Sequence, residues 1–244
     1  MADAEMERKV GSLVDWMRQK GAEAHARGAV FGVSGGVDSA LVLALSKKAW
    51  PLDCLGLVLP CHSIAQDAED ALVLLDLFQC PHCVQDLTQT YDTLAGTLPQ
   101  EGPGDRHLAL ANLKSRLRMA ALYYYANLHN YIVIGTGNRD EIYVGYSTKY
   151  GDSGVDIQPL GGLTKGQVRE MAHYLAVPDR IVGKPPSGGL WEGQTDEGEM
   201  GLTYKDIDAY LLGEEVPEEV RIKIERRHAS SEHKRRTPPV PNLD

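Results

Sequence analysis

Between Ala29 and Leu45 the chain passes from a short apolar run, Ala29-Val30-Phe31, through the polar turn Ser34-Gly35-Gly36-Val37-Asp38-Ser39. It continues into a second apolar run, Ala40-Leu41-Val42-Leu43-Ala44-Leu45. No other stretch restricts the fold as strongly. An apolar strand leading directly into a helix with no polar side needs cover on both faces, which a helix-flanked sheet provides. The two glycines allow close backbone approach and unusual φ angles in the turn. The N–H groups of the turn and first helical turn converge where the helix dipole adds positive potential, so the turn suits an anion. Ser34 and Ser39 bring hydroxyl donors, and Asp38 can hold a Mg²⁺ that bridges phosphate oxygens. No lysine closes the turn, so it is not the Gly-x-x-x-x-Gly-Lys-Ser/Thr loop.

The same alternation continues along the chain. Residues 5–20 place Met6, Val10, Leu13, Val14 and Met17 on one face of an amphipathic helix that ends near Gly21. Leu55–Leu59 reads as a second strand, Ala68–Phe78 as a helix, and Val84–Leu87 as a third strand. A Pro/Gly-rich loop over 98–106 precedes a long helix from about His107 to Leu128. Tyr131–Ile134 is a fourth strand ending at Gly135-Thr136-Gly137. These runs predict an α/β fold: a doubly wound parallel sheet flanked by helices, in a single domain over 1–244. The turns at 34–39 and 135–141 both follow strands, so they should meet at one site beyond the carboxyl ends of the sheet. Residues 143–162 read as a long loop, and Thr164-Lys165-Gly166-Gln167 as a capping box opening a helix to about Ala176. Residues 183–201 read as a mobile flap over the site. A short helix opens at Thr203–Asp206 and closes at Gly213, a charged helix spans about 217–229, and a tail fills 230–244.

Composition narrows the classes. The chain has 244 residues, 43% hydrophobic and 24% charged, enough for one sizeable core. A net charge of −9 argues against general nucleic-acid binding. No apolar run has membrane-span length and the N-terminus lacks signal-peptide character, so a soluble cytoplasmic protein is expected. Cys54, Cys61, Cys80 and Cys83 fall close together, with Cys80-Pro81-His82-Cys83 at metal or redox spacing. Cys54 lies in an apolar run and there is no second tight pair, so reduced structural thiols are the other reading.

The turn at 34–39 resembles the pyrophosphate loop of the N-type ATP pyrophosphatases, which cleave ATP between its α- and β-phosphates. Further segments follow in order: Gly135-Thr136-Gly137-Asn138-Arg139-Asp140-Glu141, Ser147-Thr148-Lys149-Tyr150-Gly151-Asp152 with Asp156, and Pro159-Leu160-Gly161-Gly162-Leu163-Thr164-Lys165. Gln194-Thr195-Asp196-Glu197-Gly198-Glu199 and Glu232-His233-Lys234-Arg235 complete the set. Together they resemble the ammonia-dependent NAD⁺ synthetases over about Val30 to Arg236. The resemblance implies the Rossmann-like fold of the adenine nucleotide alpha hydrolases. It also implies a C–N ligase that converts deamido-NAD⁺, ATP and ammonia into NAD⁺, AMP and pyrophosphate through an acyl-adenylate, the final step of NAD⁺ biosynthesis.

Site residues carry over from that resemblance. Gly32, Val33, Ser34, Gly35, Gly36, Val37, Asp38 and Ser39 would cradle ATP, joined by Thr136, Lys165 and Ser187. Asp38 and Glu141 would hold Mg²⁺, and with Lys165 they make the catalytic set. Arg116, Lys149, Asp156, His233 and Lys234 would bind deamido-NAD⁺. Arg116 and Arg118 point to nearly opposite sides of the long helix, so only one reaches a given ligand. Asp152 and Asp196 are candidates for loop order or ammonium capture. The family implies a homodimer with the dinucleotide site at the interface and a tail that orders on ligand, without nucleic acid or membrane. The synthetase region starts within about thirty residues of Met1, which leaves no room for an amidase domain in this sequence and points to direct use of ammonia. The pyrophosphate loop alone admits other ATP pyrophosphatases and a non-catalytic nucleotide binder. Lys149-Tyr150-Gly151-Asp152 and His233-Lys234-Arg235 argue against the first. The retained carboxylates and cations argue against the second.

Overall fold

The computed structural model describes residues 2–99, 101–189, 191 and 193–241. Residues 190 and 192 of the expected flap, 242–244 of the tail, 100 of the Pro/Gly-rich loop and Met1 lie outside the described residues. In chain order the elements are α1 (Ala2–Glu23), β1 (Gly28–Gly32), α2 (Val37–Ala49), β2 (Cys54–Val58), α3 (Ala65–Leu77), β3 (His82–Val84), α4 (Thr88–Thr97) and α5 (Arg106–His129). They continue with β4 (Tyr131–Val133), α6 (Arg139–Val144), α7 (Lys165–Tyr174), α8 (Asp179–Val182), α9 (Asp196–Met200), α10 (Tyr204–Leu212) and α11 (Glu218–Ser230), and a single 3₁₀ turn follows at Glu232–Lys234.

The four strands form one parallel sheet in the order β3-β2-β1-β4. β1 is central and Ala29, Val30 and Phe31 are fully buried. Their side chains alternate between the two faces. Ala29 and Phe31 join the core built with α1, α2 and α7, whereas Val30 joins the opposite core with Leu57, Val133, Tyr91 and the apolar side of α5. A third, smaller apolar cluster ties α6, α9, α10 and α11 together through Val144, Met200, Leu202, Tyr204, Ile207 and Ile224.

The expected doubly wound sheet is present. The strand order reverses between β1 and β4, so the loops that leave their carboxyl ends separate there and open a crevice. The third strand is registered earlier than expected, at His82–Val84, although Gln85 and Leu87 still donate backbone N–H groups to Val58 and Pro60. Residues 143–162 are less irregular than predicted. The helix α6 ends inside that range, and Ile157 bridges to Ile134 alongside the sheet.

Candidate active site

The turn after β1 is held by its own serines. Ser39 Oγ donates to the Gly36 carbonyl at 2.9 Å, the Ser34 N–H donates to Ser39 Oγ at 3.1 Å, and the two serine hydroxyls are 3.2 Å apart. Gly35 takes φ +78, and a Cβ there would lie 2.5 Å from the Asp67 carbonyl and 2.9 Å from Asp70 Cβ. Only glycine satisfies both conditions. Gly36 differs: at φ −96 it has an ordinary conformation and serves as the N-cap of α2 with no side-chain cap. The first N–H groups of α2 are thus left facing the crevice without a capping side chain, which favours an anion.

Asp38, in the first turn of α2, reaches toward the second loop. Asn138 Nδ2 donates to Asp38 Oδ1 at 3.0 Å. Asn138 also caps α6: its Oδ1 accepts from the Glu141 N–H at 3.1 Å, and Glu141 Oε2 accepts from the Asn138 N–H at 3.2 Å. One fully buried asparagine therefore orients both carboxylates. This reciprocal box leaves Glu141 Oε1 directed at the site.

Lys165 completes the group. It is the first residue of α7, capped by Thr164 and Gln167 as the sequence predicts. It is 2% exposed, not a solvated first-turn lysine. Its Nζ lies 2.5 Å from Asp38 Oδ2 and 3.4 Å from Glu141 Oε1. Burial lowers the lysine's proton affinity, but the Asp38 and Glu141 charges outweigh it and hold the ammonium above its ordinary range. Burial pushes the Glu141 carboxyl up, to about 7, and Lys165 offsets only part of that rise. Two carboxylates share one cation here, and Asp196 stands behind them, linked to Glu141 by Tyr204. This oxygen-only donor set with excess negative charge fits Mg²⁺, which takes one or two carboxylates and completes its shell with phosphate and water oxygens. Among the described residues no larger group of His, Cys, Asp or Glu is gathered for a metal.

The remaining predicted residues fall into three places. Thr136 lies half-buried beside this centre, on the loop after β4. Ser187 is exposed on the segment after α8, where its Oγ accepts from the Gly189 N–H at 3.2 Å. That segment is latched to α3. Lys184 Nζ is 2.7 Å from Asp67 Oδ1 and 2.9 Å from Asp70 Oδ2. Asp67 is thus shared: its carbonyl abuts Gly35 of the anion turn, and its carboxylate lies against Lys184 and Gly189, on either side of Ser187 in the chain. Lys234 Nζ donates to the carbonyls of Gly145 and Ser147 at 2.7 and 2.6 Å, which docks the 3₁₀ turn onto the end of α6. Glu141, Tyr146, Ser147, Asp152, Lys234 and Arg235 share a cavity of about 270 Å³. His233 is exposed and does not line it.

Arg116 and Arg118 diverge as expected. Arg116 donates to the Lys149 carbonyl at 3.3 Å, so these two candidates are neighbours, whereas Arg118 turns the other way to the Leu59 carbonyl and Ser63. Asp156 stands apart from the cavity. It accepts from the Val133 N–H at 2.8 Å and from the Tyr123 hydroxyl at 2.9 Å. Asp152 orders its loop by accepting from the Thr148 N–H and the Ser115 hydroxyl. The cysteines divide between cores: Cys54 and Cys80 lie with Sγ atoms 3.7 Å apart in one, and Cys61 is in the other.

Asn138, Tyr204 and Tyr146 were not singled out from sequence. Asn138 had a readable signal, since Asn-x-x-Glu after a strand is a capping box. Tyr204 and Tyr146 offered none, because their partners are distant in the chain.

A phosphate-binding turn at the switch point, with a paired-carboxylate and lysine centre beside it, defines a nucleotide-binding α/β protein built to handle polyphosphate. Residues 9–238 match the family described as NAD synthase. The chain is 50% identical over 238 residues to the NH₃-dependent NAD⁺ synthetase of Carboxydothermus hydrogenoformans, covering 97% of this chain and 98% of that one. It is 52% identical over 235 residues to the protein of that name from Syntrophomonas wolfei, with 95% and 94% covered. Among solved structures, NMN synthetase from Francisella tularensis superposes with a TM-score of 0.91 at 40% identity, covering 98% of this chain and 99% of that one. The chain belongs to the NAD synthase family.

Proposed function

We propose that this protein is an ammonia-dependent NAD⁺ synthetase: it amidates the nicotinate carboxylate of deamido-NAD⁺ at the expense of ATP, giving NAD⁺, AMP and pyrophosphate. The observation that carries this reading is the joining of Asp38, Glu141 and Lys165 beside the serine-glycine turn, in a chain matched end to end by synthetases.

A carboxylate is a poor electrophile with a poor leaving group, and adenylation remedies both. One carboxylate oxygen attacks the α-phosphorus, a new O–P bond forms, and pyrophosphate leaves with its electron pair. Ammonia then attacks the carbonyl carbon and the C–O bond breaks, so AMP departs with the former carboxylate oxygen. Residues 32–39 bind the departing phosphates through N–H groups and the hydroxyls of Ser34 and Ser39. Lys165, buried and firmly protonated, offsets the charge of the approaching anions. Asp38 and Glu141 would hold Mg²⁺, which when bound draws charge from the phosphate oxygens. Thr136 and, from the latched segment, Ser187 add ATP contacts. Arg116, Lys149 and Lys234 supply positive charge for deamido-NAD⁺, joined by the His233 ring, with Asp156 as a further contact. The described parts of the expected flap (183–189, 191 and 193–201) and tail (230–241) belong with this site in a single domain.

The protein acts as a homodimer with the dinucleotide site at its interface. Support comes from Tyr124 and Leu128, one turn apart on α5 and 65% and 63% exposed. No helix among the described residues is long and apolar enough to cross a membrane. Four unpaired cysteines suit the reducing cytoplasm.

A second reading concerns the substrate's size. The similar Francisella tularensis protein is an NMN synthetase, which makes nicotinate mononucleotide the competing acceptor. The test is to supply purified protein with ammonium, MgATP and either deamido-NAD⁺ or nicotinate mononucleotide, and to quantify all products. Stoichiometric NAD⁺, AMP and pyrophosphate, with a higher kcat/KM for the dinucleotide, is the expected result. Preference for the mononucleotide establishes the second reading, and ADP with phosphate in place of AMP with pyrophosphate overturns both.

A further inference from the structure

Tyr204, the first residue of α10, was described above only as the link between Asp196 and Glu141, yet it touches both an acidic and the basic member of the catalytic set. Its hydroxyl lies 2.9 Å from Glu141 Oε1, and Lys165 Nζ stands 4.6 Å above the centre of its ring. The same hydroxyl lies 3.0 Å from Asp196 Oδ2 on α9, whose other oxygen accepts from the Tyr146 hydroxyl at 3.0 Å. The residue is 2% exposed and Asp196 is 5% exposed.

Packing alone does not explain that hydroxyl. The ring belongs to the apolar cluster of Val144, Met200, Leu202, Ile207 and Ile224, which phenylalanine would fill as well. A buried hydroxyl is costly unless hydrogen-bonded, so an O–H at this depth is retained where its partners are the purpose. The partner that matters is Glu141. Its Oε2 is fixed by the Asn138 N–H, and the nearest donor to Oε1 is Tyr204, closer than Lys165. Removing that donor frees the carboxylate to turn.

We propose that Tyr204 is a positioning residue: its hydroxyl fixes the Glu141 carboxylate toward the nucleotide, its ring supports the Lys165 ammonium, and Asp196 anchors it from the flap helix. A phenol has one hydrogen to donate, so Glu141 and Asp196 compete for it, and the state of α9 is thereby felt at Glu141. The proposal rests on the assignment of Glu141 and Lys165 to the nucleotide site.

The test compares Tyr204→Phe, Asp196→Asn and Ile224→Val with wild type. Tyr204→Phe keeps the ring and loses only the hydroxyl. It is expected to lower kcat about tenfold, to change the KM for ATP less than about twofold, and to raise the Mg²⁺ concentration for half-maximal rate. Asp196→Asn weakens the rival acceptor, so it is expected to move the Mg²⁺ concentration for half-maximal rate the opposite way, downward, with kcat held. The double variant is expected to behave as Tyr204→Phe alone, because the link runs through the hydroxyl. Ile224→Val, in the same apolar cluster, is expected to lower Tm and leave kcat and the Mg²⁺ dependence at wild-type values. Wild-type kcat and Mg²⁺ dependence in Tyr204→Phe would overturn the proposal. So would equal effects in Ile224→Val, which would reduce Tyr204 to packing. Should Tyr204→Phe fail to fold, Asp196→Asn decides alone, an unchanged Mg²⁺ dependence refuting the link. An inactive wild-type protein would instead refute the assigned function.

Discussion

At Gly35 a left-handed φ and a backbone neighbour 2.5 Å from any Cβ coincide, and the anion turn depends on both. The αL penalty for alanine is roughly 1–2 kcal/mol before the clash with Asp67 is counted. Gly35→Ala is expected to lower Tm by at least about 4 °C and to abolish turnover, since the loop must shift out of register with Ser39. Asp140 makes a different prediction. It is fully buried under the start of α7, where its Oδ2 accepts from the Lys165 N–H at 2.6 Å. Burial, with the neighbouring Asp208 carboxylate adding to it, pushes its proton affinity from the ordinary 3.8 up to about 8. The folded chain then keeps a proton that the unfolded chain releases, so this contribution to stability is complete below pH 3.8 and is lost as pH rises toward 8. Asp140→Asn, which cannot ionise, should show a shallower fall of Tm between those limits than wild type; parallel curves would remove Asp140 from the account. Glu141 came only from the family resemblance, whereas the anion turn and Asp38 could be read from sequence because their chemistry is local. The burial of Lys165 could not, since it depends on Tyr204 and Asp38, far away in the chain.

Among the elements, the short ones carry the site. α6 has only six residues, yet its capping box sets Glu141 and, through Asn138, Asp38. Loss of a cap costs about 1 kcal/mol. Asn138→Ala is therefore expected to lower Tm by about 2–4 °C and to reduce kcat by tenfold or more, because both carboxylates lose their guide. Asp105→Ala removes the side-chain cap of α5, which accepts from the Leu108 N–H, and should cost similar stability with turnover kept. Equal activity in the two variants would make Asn138 a cap and nothing more. Of the long elements, α1 and α5 extended a residue or a few beyond their predicted limits and α11 was shifted by one, and the capped helices α7 and α10 began where their capping residues indicated. Four shorter helices, α4, α6, α8 and α9, gave no usable periodicity over ten residues or fewer. They are held by tertiary contacts, as when Asp196 at the head of α9 is fixed by Tyr204 and Tyr146.

For the whole molecule, the alternation of apolar runs was sufficient to predict a parallel sheet and to bring both loops to one end of it. The strand order was not legible, since it depends on which faces of α2 and α5 are apolar once packed. With β1 central and β4 on its far side, the two loops flank one crevice, and α7 inserts Lys165 between them. The segment after α8 is tied to α3 by Lys184, and if it acts as the expected flap this tie bears on nucleotide binding. Lys184→Ala removes the ion pairs to Asp67 and Asp70 and is expected to raise the KM for ATP several-fold with a smaller change in kcat; an unchanged KM would separate the latch from nucleotide binding.

The central claim is that this crevice joins the substrate carboxylate to the α-phosphate of ATP. Deamido-NAD⁺ labelled with ¹⁸O in its nicotinate carboxylate, turned over with MgATP and ammonium, reports on that bond directly by mass spectrometry of the products. One labelled oxygen in AMP and none in pyrophosphate is the expected result. Unlabelled AMP formed alongside NAD⁺, or label recovered in phosphate, would show that the carboxylate is activated in some other way and would contradict the site as assigned.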